Sequence, residues 1–135
     1  MILFKRLTYK NFLSSGNLPI VINLDMSQTT LIVGTNGSGK STLLDALCFV
    51  LFNRPFRIIK KEQMVNTINN GDCVVEVDFE VGTKKYKVRR GIKPNLFEIF
   101  CDGKKLNQDA NNIDYQKYLE QNIMKLNYRS FIQVV

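Results

Sequence analysis

The stretch TTLIVGTNGSGKSTLLDALCFVLF, residues 29–52, joins three kinds of sequence in one run. Residues 29–33 are short, β-branched and apolar, which suits a strand buried on both faces. Gly34, Thr35, Asn36, Gly37, Ser38, Gly39, Lys40 and Ser41 then satisfy G-x-x-x-x-G-K-[ST]. Leu44, Leu47, Cys48 and Leu51 recur at helical spacing and predict an amphipathic helix. Strand, glycine loop and helix in that order make a phosphate cradle. Glycines let backbone N–H groups close around phosphate oxygens, and the helix N-terminus adds partial positive charge. In such a cradle Lys40 reaches the β- and γ-phosphates, Ser41 ligates Mg²⁺, and Thr42 donates to a phosphate oxygen from the first helical turn. A strand-to-helix turn that binds nothing has no use for Lys40 and Ser41 at those positions.

The rest of the composition narrows what could use a nucleotide. At 135 residues, 44% hydrophobic and 23% charged, the chain is sized for one domain with its own core. No apolar run approaches the ~20 residues that cross a bilayer, and the opening ILFKRLTYKNF lacks a cleavable signal pattern, so a cytoplasmic protein is expected. Cys48, Cys73 and Cys101 are too widely spaced for a metal knuckle and too few for a disulfide framework. The absence of histidine excludes Ser-His and Cys-His nucleophiles. A net charge of +7 favours an anionic partner, and nucleotide and nucleic acid both qualify.

Outward from the glycine loop, residues 2–12 and 18–24 read as a hairpin joined through SSGNLP, with Ile20, Ile22 and Leu24 on one face. Pro55 marks a break, and residues 58–71 form a connector. From Cys73 to Leu106 the pattern becomes an antiparallel β-meander. A two-residue turn at Gly82-Thr83, with glycine first as a type II′ turn prefers, sets Val81 opposite Lys84. Glu80 then faces Lys85, Asp78 faces Lys87 and Glu76 faces Arg89. On the other side Phe79 meets Tyr86 and Val77 meets Val88. A third strand, Leu96 to Cys101, ends at the hairpin signal Asp102-Gly103. A helix is expected from about Asn112 to Leu126, with Tyr115, Leu119, Ile123 and Leu126 on one side, and an apolar run follows to Val135.

The form G-x-N-G-S-G-K-S-T-L-L-D-A-L, with an upstream K-N-F-x-S (Lys10, Asn11, Phe12, Ser14), resembles the N-terminal lobe of SMC-type ABC ATPases. Within these the chain is most similar to the SbcC-type ATPase subunits of double-strand-break repair nucleases, those of bacteriophages included. The likeness continues through PFR-x-x-KK (55–61), RRG-x-KPN-x-FEI (90–99, with Arg89 before it), DGKKLN (102–107) and Y-x-SF-x-Q-V-V, and so covers essentially the whole chain. It implies an α/β P-loop NTPase fold, one lobe over residues 1–135. Residues 1–72 would hold strands, phosphate loop and helix, 73–106 the meander, and 107–135 a helix and strand leading toward the Q-loop. It also implies ATP and Mg²⁺ as cofactors, and as partners a C-terminal ATPase lobe, a second head, a nuclease subunit and DNA. Nucleotide contacts would fall on Ser14, Asn36, Gly37, Ser38, Gly39, Lys40, Ser41 and Thr42, with Val65, Asn66 and Thr67 after the paired lysines Lys60 and Lys61. Leu13 stands where many relatives have arginine. Asn11 and Ser14 also suit a turn at a strand end. Gln133 comes too early for the Q-loop glutamine.

Between Lys84 and Lys105 stand eight basic residues against Glu98 and Asp102, nearly the whole net charge. Family members bind duplex across paired heads, which makes this segment the candidate footprint. Lys85, Lys87 and Arg89 have acidic cross-strand partners in the expected register, which leaves Lys84, Arg90, Lys93, Lys104 and Lys105 as the DNA candidates. The acidic strand end, the glutamate after it and the signature loop that hydrolysis in this class requires are not visible, and neither is the coiled coil. Asp25 and Asp78 sit in hairpins and do not substitute. The chain is therefore expected to bind Mg–ATP and to be catalytically incomplete. The rival readings are a small P-loop kinase, which should carry an arginine-rich lid, and a non-enzymatic nucleotide- or DNA-binding module.

Overall fold

A computed structural model describes residues 2–12, 18–27, 40–54, 71–93, 95–106 and 112–125. Six strands form one sheet: β1 (Ile2–Lys10), β2 (Ile20–Ser27), β3 (Cys73–Val81), β4 (Lys84–Ile92), β5 (Leu96–Cys101) and β6 (Lys104–Lys105). Two helical elements are described, α1 (Lys40–Phe52) and α2 (Asn112–Tyr118), the latter continuing as a π-helical turn over Leu119–Met124. The strand order is β2-β1-β3-β4-β5-β6, antiparallel at every pairing. The N-terminal hairpin and the meander are thus one continuous sheet, because β1 lies between β2 and β3. The strand expected at 29–33 lies outside the described residues.

The meander adopts the register expected from its side chains, from Val81 opposite Lys84 to Glu76 opposite Arg89. Gly82 has φ +62°, and Thr83 is not among the described positive-φ residues, as a type II′ turn requires. Asp102 and Gly103 are both at positive φ, +51° and +86°, the type I′ pattern that matches the twist of the flanking strands. Leu7, Val77, Val88 and Ile99 stand side by side across four strands, all fully buried. Phe79 stacks on Tyr86 at 5.6 Å and meets Phe4 at 6.1 Å along the next row.

β1 shows why simple alternation is not enough. Ile2 and Phe4 point inward, and so do Leu7 and Tyr9, although four and seven differ in parity. A bulge between Phe4 and Arg6, present in the pairing with both neighbours, inserts the extra residue that returns Leu7 to the inner face.

The inner face is covered by α1 and α2. Every described side chain of α1 is buried, from Leu43 and Asp45 through Phe52. The expected amphipathic helix is instead apolar on all sides over ALCFVLF, the composition of a helix enclosed by other elements. Tyr115 anchors α2 to β5: its ring meets Phe97 edge-on at 5.0 Å, its hydroxyl accepts from Ile99 N–H (3.2 Å) and donates to Leu106 O (3.0 Å). Tyr115, Leu119 and Ile123 form the buried side anticipated for this helix, and Leu126 lies outside the described residues. The three cysteines are free thiols, and burial pushes Cys48 and Cys73 up to about 12. Among the described residues no helix is long and apolar enough to cross a membrane.

Candidate nucleotide-binding site

Lys40, Ser41 and Thr42 are the first three residues of α1, so its N-terminus opens directly from the glycine loop. The helix has no acidic residue in its first turn, and its positive dipole end is left for an anion. That positive helix end fits the phosphates that the motif implies, and Ser41 beside it would hold Mg²⁺. Ser14, Asn36, Gly37, Ser38, Gly39, Val65, Asn66 and Thr67 lie outside the described residues, as does Gln133.

The opposite end of α1 is closed by side chains from distant elements. The last four carbonyls of a helix lack intrahelical donors. Here Asn53, at φ +61°, returns its N–H to Phe49 O at 2.8 Å, an αL cap. Arg90 of β4 donates from Nε to Val50 O at 3.2 Å. Gln116 of α2 donates from Nε2 to Leu51 O at 2.7 Å. The arginine also donates to Gln116 Oε1 and lies over the Phe97 ring, 3.7 Å from its centroid. The same Gln116 amide reaches Glu120 Oε2 at 2.8 Å. α1 has no basic residue in its own last turn, and β4 supplies the cation that the negative helix end favours. Burial pushes Arg90 down to about 9, with the Glu120 carboxylate opposing, so the guanidinium is charged at neutral pH.

This placement corrects one DNA candidate. Arg90 is 5% exposed, and all of its described contacts are internal, so it offers nothing to a duplex. Lys105 is also not the partnerless cation expected, because its Nζ lies 2.9 Å from Glu98. The rest of the outer face is a lattice of ion pairs: Arg6 and Lys87 on Asp78 (3.5 and 3.8 Å), and Arg89 on Glu76 and Glu98 (3.7 and 3.8 Å). Exposed pairs of this kind contribute about 0–1 kcal/mol each and define a solvated face. Lys84 and Lys104 are exposed and flank two turns that are tied together, Lys85 N–H to Asp102 Oδ1 at 3.0 Å and Asp102 N–H to Lys85 O at 2.7 Å. Lys93 is exposed in the β4–β5 turn, at the other end of β4.

At that end three non-glycine residues have positive φ and are linked. Asn11 (φ +52°) donates from Nδ2 to Asp72 O at 3.4 Å, and Asp72 (φ +50°) donates its N–H to Lys93 O (φ +54°) at 2.8 Å. Asn11 is fully buried and acts as the turn former that its sequence position allowed. Phe12 beside it stacks on Phe49 of α1 at 5.9 Å and meets Tyr9 edge-on at 6.0 Å. The K-N-F segment therefore pins the end of β1 to the last turn of the phosphate-loop helix.

A family model described as "AAA domain" matches residues 6–134. Exonuclease subunit 2 of Escherichia phage RB69 and Exonuclease subunit 2 of Enterobacteria phage T4 are each 47% identical over 130 residues, covering 96% of this chain and 23% of theirs. The DNA double-strand break repair Rad50 ATPase of Thermoplasma volcanium is 30% identical, covering 96% of this chain and 14% of its own. The chain thus spans under a quarter of the length of these relatives. Among solved structures, one from work on ATP-driven dimerization and DNA-stimulated activation of SMC ATPases superposes with a TM-score of 0.53 at 21% identity, over 91% of this chain and 78% of its own. The Smc head domain of Pyrococcus furiosus, with an extended coiled coil and bound to the C-terminal domain of ScpA, gives 0.52 at 19% identity, over 93% and 33%. At those identities the superpositions establish the fold alone, one shared with these structures.

Proposed function

This chain belongs to the AAA domain family, and on that premise we propose that it is the ATP-binding lobe of a DNA recombination and repair ATPase that controls a partner nuclease at DNA ends. The observation that carries the reading is the position of Lys40 and Ser41 as the first two residues of α1, directly after a complete phosphate-loop sequence. The 47% identity to two phage exonuclease subunits supports the DNA-processing context. Backbone N–H groups of residues 36–42 would cradle the phosphates, Lys40 would neutralise the β- and γ-oxygens, and Ser41 would hold Mg²⁺. Bound Mg²⁺ would supply further neutralisation of phosphate charge. Ser14, Val65, Asn66 and Thr67 would complete the nucleotide contacts. The remaining parts of the machine, a C-terminal lobe, a second head and the nuclease, would come from other chains or segments, in the cytoplasm. Titration calorimetry of the chain with Mg–ATP should give one saturable site, and a flat titration at millimolar nucleotide would overturn the reading.

For DNA, Lys84, Lys93 and Lys104 are the contacts we propose. Each phosphate contact contributes about 0.9 to the slope of log K against log salt. The triple alanine variant should therefore bind duplex with a visibly shallower salt dependence. An unchanged slope would leave the ion-paired face as a solvated surface and nothing more.

A further inference from the structure

We propose that Arg90 and Gln116 are positioning residues for the nucleotide, coupling occupancy of the phosphate loop to the π-helical turn at Leu119–Met124. The inference rests on the reading of residues 34–42 as a nucleotide site. α1 is a single helix of thirteen residues, about 20 Å long, buried along its described length. Ligand forces at its N-terminus act on a rod whose far end is held by Arg90 on Val50 O and Gln116 on Leu51 O. Interiors packed this closely move as units, so a small axial shift of α1 moves both carbonyls against their donors.

Gln116 is the branch point. Its amide nitrogen serves Leu51 O and Glu120 Oε2 together, while its oxygen accepts from Arg90. Glu120 lies in the first turn of the π segment, and its carbonyl accepts the N–H of Lys125, an i to i−5 bond at a left-handed residue (φ +56°). A π turn is a rare geometry, and returning it to α register would move that N–H to the carbonyl of residue 121. Exchange between those two registers would make the segment the two-state element that physical coupling between sites requires. A cavity of about 400 Å³ bordered by Phe52, Asn53, Arg90, Gln116 and Glu120 gives the Gln116–Glu120 pair room to change partners.

Hydrogen exchange on the chain with and without Mg–ATP, paired with calorimetry, tests the coupling. In the wild-type chain Mg–ATP should change exchange at residues 119–125. In Gln116→Met, similar in volume but unable to bond Leu51 O or Glu120, that change should disappear and the Kd for Mg–ATP should rise by about fivefold, the low end of usual couplings. Arg90→Lys keeps the charge but cannot serve Val50 O and Gln116 together, and should fall between the two. It is the variant to read if Gln116→Met does not fold. A lower melting temperature with unchanged Kd and an intact nucleotide response would make the network purely structural and overturn the proposal. A wild-type chain that binds no Mg–ATP, like Lys40→Ala, would overturn the nucleotide reading itself.

Discussion

Lys40→Ala should remove Mg–ATP binding from the chain, weakening it by about a hundredfold or more. Lys40 is the first residue of α1, and its full positive charge would add to a helix end that bears only a partial one. Hydrogen bonds to charged groups contribute about 1.5–3 kcal/mol, and the motif implies that Lys40 makes them to two phosphates. Losing about 3 kcal/mol is a factor of about a hundred in Kd. The fold should survive, because the residue is the first of its helix and the far end of α1 carries its own caps. Comparison of calorimetric Kd and of thermal midpoint between the two chains separates these effects. In the same experiment, phosphate release by the wild-type chain should stay at background. Among the described acids, Asp78 and Glu76 are ion-paired on the outer face, and Asp45 is buried within α1. The acidic strand end and the following glutamate that hydrolysis in this class requires are not visible in the sequence. Lys40-dependent turnover would show that the catalytic carboxylate is already inside these residues.

What could be read from the sequence, and what could not, divides by the range of the interaction. The β3–β4 register was legible because it is local: one glycine turn, three opposite-charge pairs and two apolar pairs all demand the same alignment. The same register carried a signal that the charge count obscured. If Arg89 faces out opposite Glu76, Arg90 must face in opposite Val75, since successive residues of a strand alternate. Reading Arg90 as a surface cation ignored that parity. Its partners, one carbonyl of α1 (Val50) and the side-chain amide of Gln116 in α2, are 40 and 26 residues away, and no local pattern announces them.

Placement of β1 between β2 and β3 is likewise a long-range choice that alternation in either strand permits. The bulge at Lys5 was visible only as a lapse in that alternation. The π turn has no local signature at all. It is settled by Leu119, Ile123 and Met124 reaching the core together, with Lys125 closing the turn. At the candidate site, motif spacing alone fixed where α1 begins. The end of α1 needed the tertiary structure.

Phe49→Ala should cost the fold about 3–5 kcal/mol, the range for removing a buried aromatic ring. Against a total stability of about 5–15 kcal/mol for a domain, that is enough to populate the unfolded chain at 37 °C. Phe49 is fully buried on α1 and stacks on Phe12 with rings 28° apart, and Phe12 in turn meets Tyr9 at 64°. Such ring pairs contribute about 0.5–1.5 kcal/mol beyond the area they bury. Urea unfolding should show a lower midpoint at an unchanged slope, since the surface exposed on unfolding is nearly the same. Phe12→Ala should be comparably costly, and the double variant should cost less than the two losses added, because each ring loses the same partner. Additive losses would mean that Phe12 and Phe49 stabilise separate regions. In that case the K-N-F segment would not tie β1 to the phosphate-loop helix, and its phenylalanine would need another reason to be there.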